Sequence, residues 1–160
     1  MVSIRNALGA DVEGCIAVLT ELPDYFTSDT HEHVRASMPS DPAWVALDEE
    51  TEGGIIGFVL AERRYPTAAE ITFAAVRPLR RGAGIGTQLV ERALHDLTEA
   101  GVQLVEVKTL DASAGYEPYV ATRSFWERRG FVQIDCIDPL PGWQPGNPSA
   151  IYVAALNATR

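Results

Sequence analysis

The stretch Glu70-Ile-Thr-Phe-Ala-Ala-Val76-Arg-Pro-Leu-Arg80-Arg81-Gly82-Ala-Gly84-Ile-Gly86-Thr87-Gln-Leu-Val90 decides how the rest of the chain is to be read. Its first seven residues, Glu70 to Val76, read as a strand. Arg77-Pro78 interrupts that strand, and glycines follow at 82, 84 and 86. From Gly84 to about Ala100, the residues Ile85, Leu89, Val90, Ala93, Leu94 and Leu97 share one helical face, and Gly101 suits the helix end. A strand therefore passes through glycine into the start of an amphipathic helix. Glycine lets main-chain N–H groups approach an anion without interference from Cβ, and a helix start adds the positive end of its dipole. The chain carries 22 acidic and 13 basic residues, yet Ile71 to Val90 contains no carboxylate and three arginines. The helix start is left open for a phosphate.

Two familiar phosphate loops do not fit. A Walker loop needs a lysine after its last glycine, and none follows Gly86. The dinucleotide fingerprint fails as well. Counted from Gly84 it meets Leu89 where a small residue is needed, and counted from Gly82 it meets Thr87.

Outward from this segment the elements follow in order. Ser3 to Ala7 reads as a short strand and Asp11 as a helix cap, before apolar residues at helical spacing from Val12 to Leu22. Asp29 or Thr30 starts a second short helix through Val34 to Met38. Trp44 to Leu47 and Ile55 to Ala61 read as strands joined across the polar turn 48–54. Downstream come a strand at Gln103 to Thr109, a helix at Pro118 to Arg129, and strands at Phe131 to Ile137 and Ala150 to Leu156. The order predicts one domain over residues 1–160, a mixed α/β sheet with helices on both faces.

Composition sets outer bounds. A length of 160 residues suits one compact domain, and no apolar run reaches the length of a membrane span. No signal-peptide pattern opens the sequence, so a cytoplasmic protein is expected. The net charge of −9 argues against a nucleic-acid partner and accords with a cationic one. Cys15 and Cys136 form no redox or metal spacing. His31-Glu32-His33 lacks ligand spacing, since residues two apart point away from each other on a helix. No metal is expected.

The pattern [Q/R]xxGx[G/A], here Arg81, Gly84 and Gly86 after a strand ending Val76-Arg-Pro, resembles the pyrophosphate motif of the GNAT acetyltransferase superfamily. A second stretch, Ala121-Thr-Arg-Ser-Phe125-Trp126-Glu-Arg-Arg-Gly130-Phe131, is similar to the later helix of that family, NxxAxxFYxxxGF. The start Ile4-Arg5 with Asp11 is also similar. The resemblance covers nearly the whole chain. It implies a three-layer α/β/α sandwich whose mixed, mostly antiparallel sheet splays into a V, and it implies acetyl transfer from acetyl-CoA to a small-molecule or peptide amine. Homodimers are common in the family.

Site roles follow from the same resemblance. Val76 and its strand, with Ala75, would pair with the pantetheine arm. The Ala74 N–H would polarise the acetyl carbonyl. Arg81 and the amides of Gly82, Ala83, Gly84, Ile85, Gly86 and Thr87 would hold the diphosphate. Glu70 stands where one branch has the base that deprotonates the amine, often through water; a plain strand-end carboxylate is its alternative. At the tyrosine that protonates departing CoA thiolate in the family, this chain has Trp126, whose indole is no acid. Tyr119, at the family's Asn position and two turns earlier on a similar face, is the candidate replacement, with Tyr116 and water as rivals. Arg77 and Arg80 could reach phosphates, whereas Arg128 and Arg129 are explained by the helix dipole. Trp143 and Asn147-Pro148 lie in a loop able to fold over the site. A CoA-binding module without turnover is the competing reading.

Overall fold

The computed structural model describes residues 1–51 and 54–156. Seven strands form one sheet: β1 (Val2–Asn6), β2 (Ala43–Asp48), β3 (Ile55–Tyr65), β4 (Ala68–Val76), β5 (Leu104–Leu110), β6 (Val132–Ile137) and β7 (Ser149–Ala155). Among the described residues, four α-helices accompany them: α1 (Val12–Thr20), α2 (Ser28–Ser37), α3 (Ile85–Glu99) and α4 (Pro118–Arg128). The strand order is β1-β2-β3-β4-β5-β7-β6. Every neighbouring pair is antiparallel except β4 and β5. Part of the expected turn between β2 and β3, residues 52–53, lies outside the described residues.

Helices cover both faces of the sheet, and each face has its own core. Cys15, Val18 and Leu19 of α1 and Val34 of α2 pack on Val45, Phe58 and Leu60. On the other face, Ile85, Leu89, Val90, Ala93 and Leu97 of α3 pack with Trp126 of α4 against Trp44, Ile56, Val105 and Val107. These α3 positions are the apolar stripe legible in the sequence. Trp44 is fully enclosed, and its indole N–H donates to Asp96 on α3 at 2.8 Å. At the chain start, the Asp11 carboxylate accepts from Arg5 at 2.7 Å and from the Leu8 N–H at 2.7 Å. The Arg5 guanidinium thereby holds that carboxyl below the usual range.

Candidate functional site

The site begins where the one parallel pairing fails. β4 and β5 are matched from Ala68 opposite Leu104 to Ile71 opposite Val107, and no further. Thr72 is an extra residue on β4 at that point: Ile71 faces Ala61 and Phe73 faces Leu60 on β3. A bulge of this kind bends its strand and sharpens the twist. β4 then continues with β3 to Val76, and β5 continues with β7 to Leu110. The two diverge, leaving the β5-facing edge of β4 beyond Ile71 without a strand partner. A cavity of about 480 Å³ fills the splay, lined by Ala74, Ala75 and Val76 on one side and Val107, Lys108 and Thr109 on the other. The bulge also shifts the alternation of β4. Ile71 belongs to the α3 face, and Phe73 and Ala75 belong to the α1 face.

The glycine loop opens onto the same cavity. Arg81, Gly82, Gly84, Ile85, Gly86 and Thr87 line it; Ala83 lies within the loop but does not. Gly82 and Gly84 both have φ +80°, a conformation a side chain would strain. Gly84 caps α3 with no side-chain partner, and the first turn holds no acid. The amides at this helix start thus keep their capacity for an anion.

Of the three arginines near the loop, two are committed elsewhere. Arg77 donates to Glu21 at 2.8 Å and to the Ile55 carbonyl at 2.8 Å. Arg80 pairs with Asp48 at 2.6 Å and reaches Thr51 at 3.0 Å. Arg81 makes no ion pair among the described residues and lies over the Tyr25 ring, 5.1 Å from its centre. It alone of the three is available to a phosphate.

A fourth arginine, read from the sequence as serving the end of α4, also faces the cavity. Arg129 follows α4 and lines the cavity. One of its amino groups donates to Thr87 Oγ1 in the first turn of α3, and the other donates to the Phe125 carbonyl at 2.8 Å. The guanidinium is stacked on Phe125 at 4.0 Å. Its Nε is buried without a hydrogen-bond partner, and no carboxylate pairs with it among the described residues. The Phe125 carbonyl at the end of α4 offsets part of this charge, whereas the adjoining start of α3 adds positive character that no carboxylate among the described residues balances. Thr109 Oγ1, also on the cavity wall, is another buried polar atom without a partner. These open valences fit a polyanionic ligand lying across the helix start with its arm in the splay.

Tyr25 and Tyr119 line the far end of the cavity, and Tyr116 lies beside them outside it. Tyr119 of α4 donates to the Tyr25 carbonyl at 3.3 Å, Tyr25 donates to the Pro118 carbonyl at 2.8 Å, and Tyr116 donates to the Asp24 carbonyl at 3.0 Å. Tyr119 lies between the other two, its ring tilted against each, with ring centres 5.2 Å and 5.9 Å away. The α1–α2 loop is thus pinned to α4. Burial, with Tyr25 and Tyr116 adding to it, pushes the Tyr119 phenol up to about 12. Trp126 lines the cavity too, buried between Phe125 and Phe131.

Glu70 sits on β4 just before the splay but does not line the cavity. Its side chain is 8% exposed. Oε1 accepts from Arg64 at 2.6 Å and from Lys108 at 3.2 Å, and Lys108 does line the cavity. Glu62 and Glu106 lie directly across from Glu70 on β3 and β5, a row of like charges that Arg64 and Lys108 offset. Oε2 of Glu70 has no hydrogen-bond partner among the described residues. His31 and His33 join no cluster, and among the described residues no group of three potential ligands could hold a metal. No helix among them is long and apolar enough to cross a membrane.

A splayed sheet between two helix layers, beside an acid-free helix start, is the architecture shared with GNAT acetyltransferase structures. The family profile described as "Acetyltransferase (GNAT) domain" matches residues 39–133, and the chain belongs to that family. No curated protein matches the sequence significantly. Among solved structures, a protein from Desulfovibrio desulfuricans assigned to the GNAT family superposes with a TM-score of 0.81 at 20% identity, covering 98% of this chain and 100% of that one. The ribosomal-protein-S18-alanine N-acetyltransferase from Escherichia coli gives 0.76 at 13% identity over 100% and 97%. A GNAT family acetyltransferase from Elizabethkingia anophelis with acetyl-CoA bound gives 0.69 at 16% over 97% and 98%. At these identities the likeness is one of fold.

Proposed function

We propose that the protein transfers an acetyl group from acetyl-CoA to a primary amine by direct attack, with no covalent enzyme intermediate. The observation that carries this reading is the splay itself. An unpaired strand edge and a helix start with uncompensated cations share one cavity, which suits a long ligand with a neutral arm and an anionic end. Arg81, Arg129 and the amides from Gly82 to Thr87 would hold the diphosphate. The β4 edge at Ala74 to Val76 would align the arm. Acetyl-CoA supplies an activated acetyl thioester, and an N–H at Ala74 would polarise its carbonyl, a contribution typically worth about 3 kcal/mol.

Glu70 is the proposed base. An amine like that of lysine is protonated at neutral pH and must lose a proton before it can attack. The free Oε2 of Glu70 would take that proton through an ordered water, while Arg64 and Lys108 hold Oε1 still. Tyr119 is the proposed donor toward the departing thiolate. It would exchange its bond to the Tyr25 carbonyl for one to sulfur.

The test is thiol release from acetyl-CoA against a panel of primary amines. Release that depends on the amine supports transfer. Binding of acetyl-CoA with no release toward any amine would make the protein a CoA-binding module. Glu70→Gln should lower turnover most at acidic pH, where the acceptor is most protonated, and leave acetyl-CoA affinity intact. An unchanged pH–rate profile would remove Glu70 from the reaction.

A further inference from the structure

A second cavity, of about 410 Å³, adjoins the first on the far side of Tyr119, whose ring lines both. Its walls come from the α1–α2 loop at Asp24, the segment before α4 at Tyr116, and the β6–β7 loop at Trp143 and Asn147. The two cavities differ in sign. Arg80, Arg81, Lys108, Arg128 and Arg129 line the first, whereas no Lys or Arg among the described residues lines the second. It offers three aromatic side chains and one carboxylate. Asp24 has no ion pair among the described residues. Tyr116 and Tyr119 donate their phenol protons to main-chain carbonyls, so each oxygen is left to accept. Aromatic faces, phenol oxygens and a free carboxylate together recognise a cation, and an ammonium or guanidinium is the organic group that uses all three.

We propose that this cavity holds a second cationic group of the acceptor, so that the preferred substrates are diamines or amines bearing another fixed positive charge. This rests on the acetyl-transfer reading above. One amine would enter the splay on the cofactor side of Tyr119, while the other charge is retained among Tyr116, Trp143 and Asp24. Two like-charged groups on one molecule are thereby distinguished by position: one is desolvated and deprotonated near Glu70, and the other stays ionised.

Straight-chain diamines of increasing length, each compared with the monoamine of the same length, provide the test at saturating acetyl-CoA. The expected result is kcat/KM about tenfold or more higher for the best diamine, expressed mainly in KM, with an optimum at one chain length. Asp24→Asn and Trp143→Ala should each shrink the diamine-to-monoamine ratio several-fold. A ratio within twofold of unity at every length would overturn the proposal. So would a ratio that neither variant changes. If no amine is acetylated, it is the transfer reading that fails, and calorimetric titration of CoA-loaded protein with diamine and monoamine then decides the cavity alone. Tighter diamine binding that Asp24→Asn abolishes supports the site, and equal binding rejects it.

Discussion

At the scale of single residues, the site depends on which polar groups are left without partners. Arg77 and Arg80 look equivalent to Arg81 along the chain, yet acidic side chains just after α1 and on β2 take up the first two. Tyr119 shows the converse. Its hydroxyl is bonded, its ring is enclosed, and its phenol is displaced to about 12. A proton donor works only below its own pKa, so activity should fall only as pH rises through that displaced value. An unburied tyrosine would instead impose a descending limb near its ordinary pKa of about 10. The kcat profile at saturating amine should therefore show no loss near that pH that Tyr119→Phe removes, while Tyr119→Phe lowers kcat at all lower pH values. Full turnover by Tyr119→Phe would end the donor assignment.

At the scale of elements, the splay has a specific structural cause. The bulge at Thr72 bends β4 at the residue where its pairing with β5 stops, and β3 must follow β4 past that point. Gly57 of β3 makes this close passage workable. A Cβ there would lie 2.9 Å from the Ala75 carbonyl oxygen, 3.1 Å from Leu89 and 3.2 Å from Val76. Its restriction is steric crowding, because its φ is not among the positive values. Gly57→Ala should push β4 and α3 away from β3 and cost about 1–3 kcal/mol. For a domain of this size that corresponds to a fall in Tm of roughly 3–10 °C by calorimetry. Acetyl-CoA affinity should fall with it, since Ala75 and Val76 form the cavity wall. The spacing of apolar residues had already placed every strand and α-helix of the described residues to within a few residues. It could not show the bulge, because an extra residue is defined by what lies opposite on the neighbouring strand.

For the whole molecule, the two cores meet only through the sheet, and the ligand cavity opens where that sheet divides. A ligand filling it joins β4, β5, α3 and α4, so binding should stabilise the fold as a unit. At about one hundred times its Kd, acetyl-CoA should add about 2.7 kcal/mol. The Tm should then rise by roughly 5–10 °C. Arg129→Met keeps apolar packing over Phe125 but removes the charged donors, a loss expected to cost about tenfold or more in affinity. At the same ligand concentration the shift should shrink to about half of its unmodified value. An equal shift in both proteins would show that Arg129 does not face the phosphates.

The sequence by itself determined the strand–glycine–helix unit, its freedom from carboxylates and the α/β order of the elements. All of these are set by residues within a turn or two of one another, where backbone preference and periodicity suffice. The tertiary structure alone decided which arginines remain for a phosphate, where β4 parts from β5, and that Arg129 reaches Thr87 across 42 positions. It also joined Tyr119 to Tyr25 across 94 positions. Charge pairing and burial depend on distance in space, and a chain records only distance along itself.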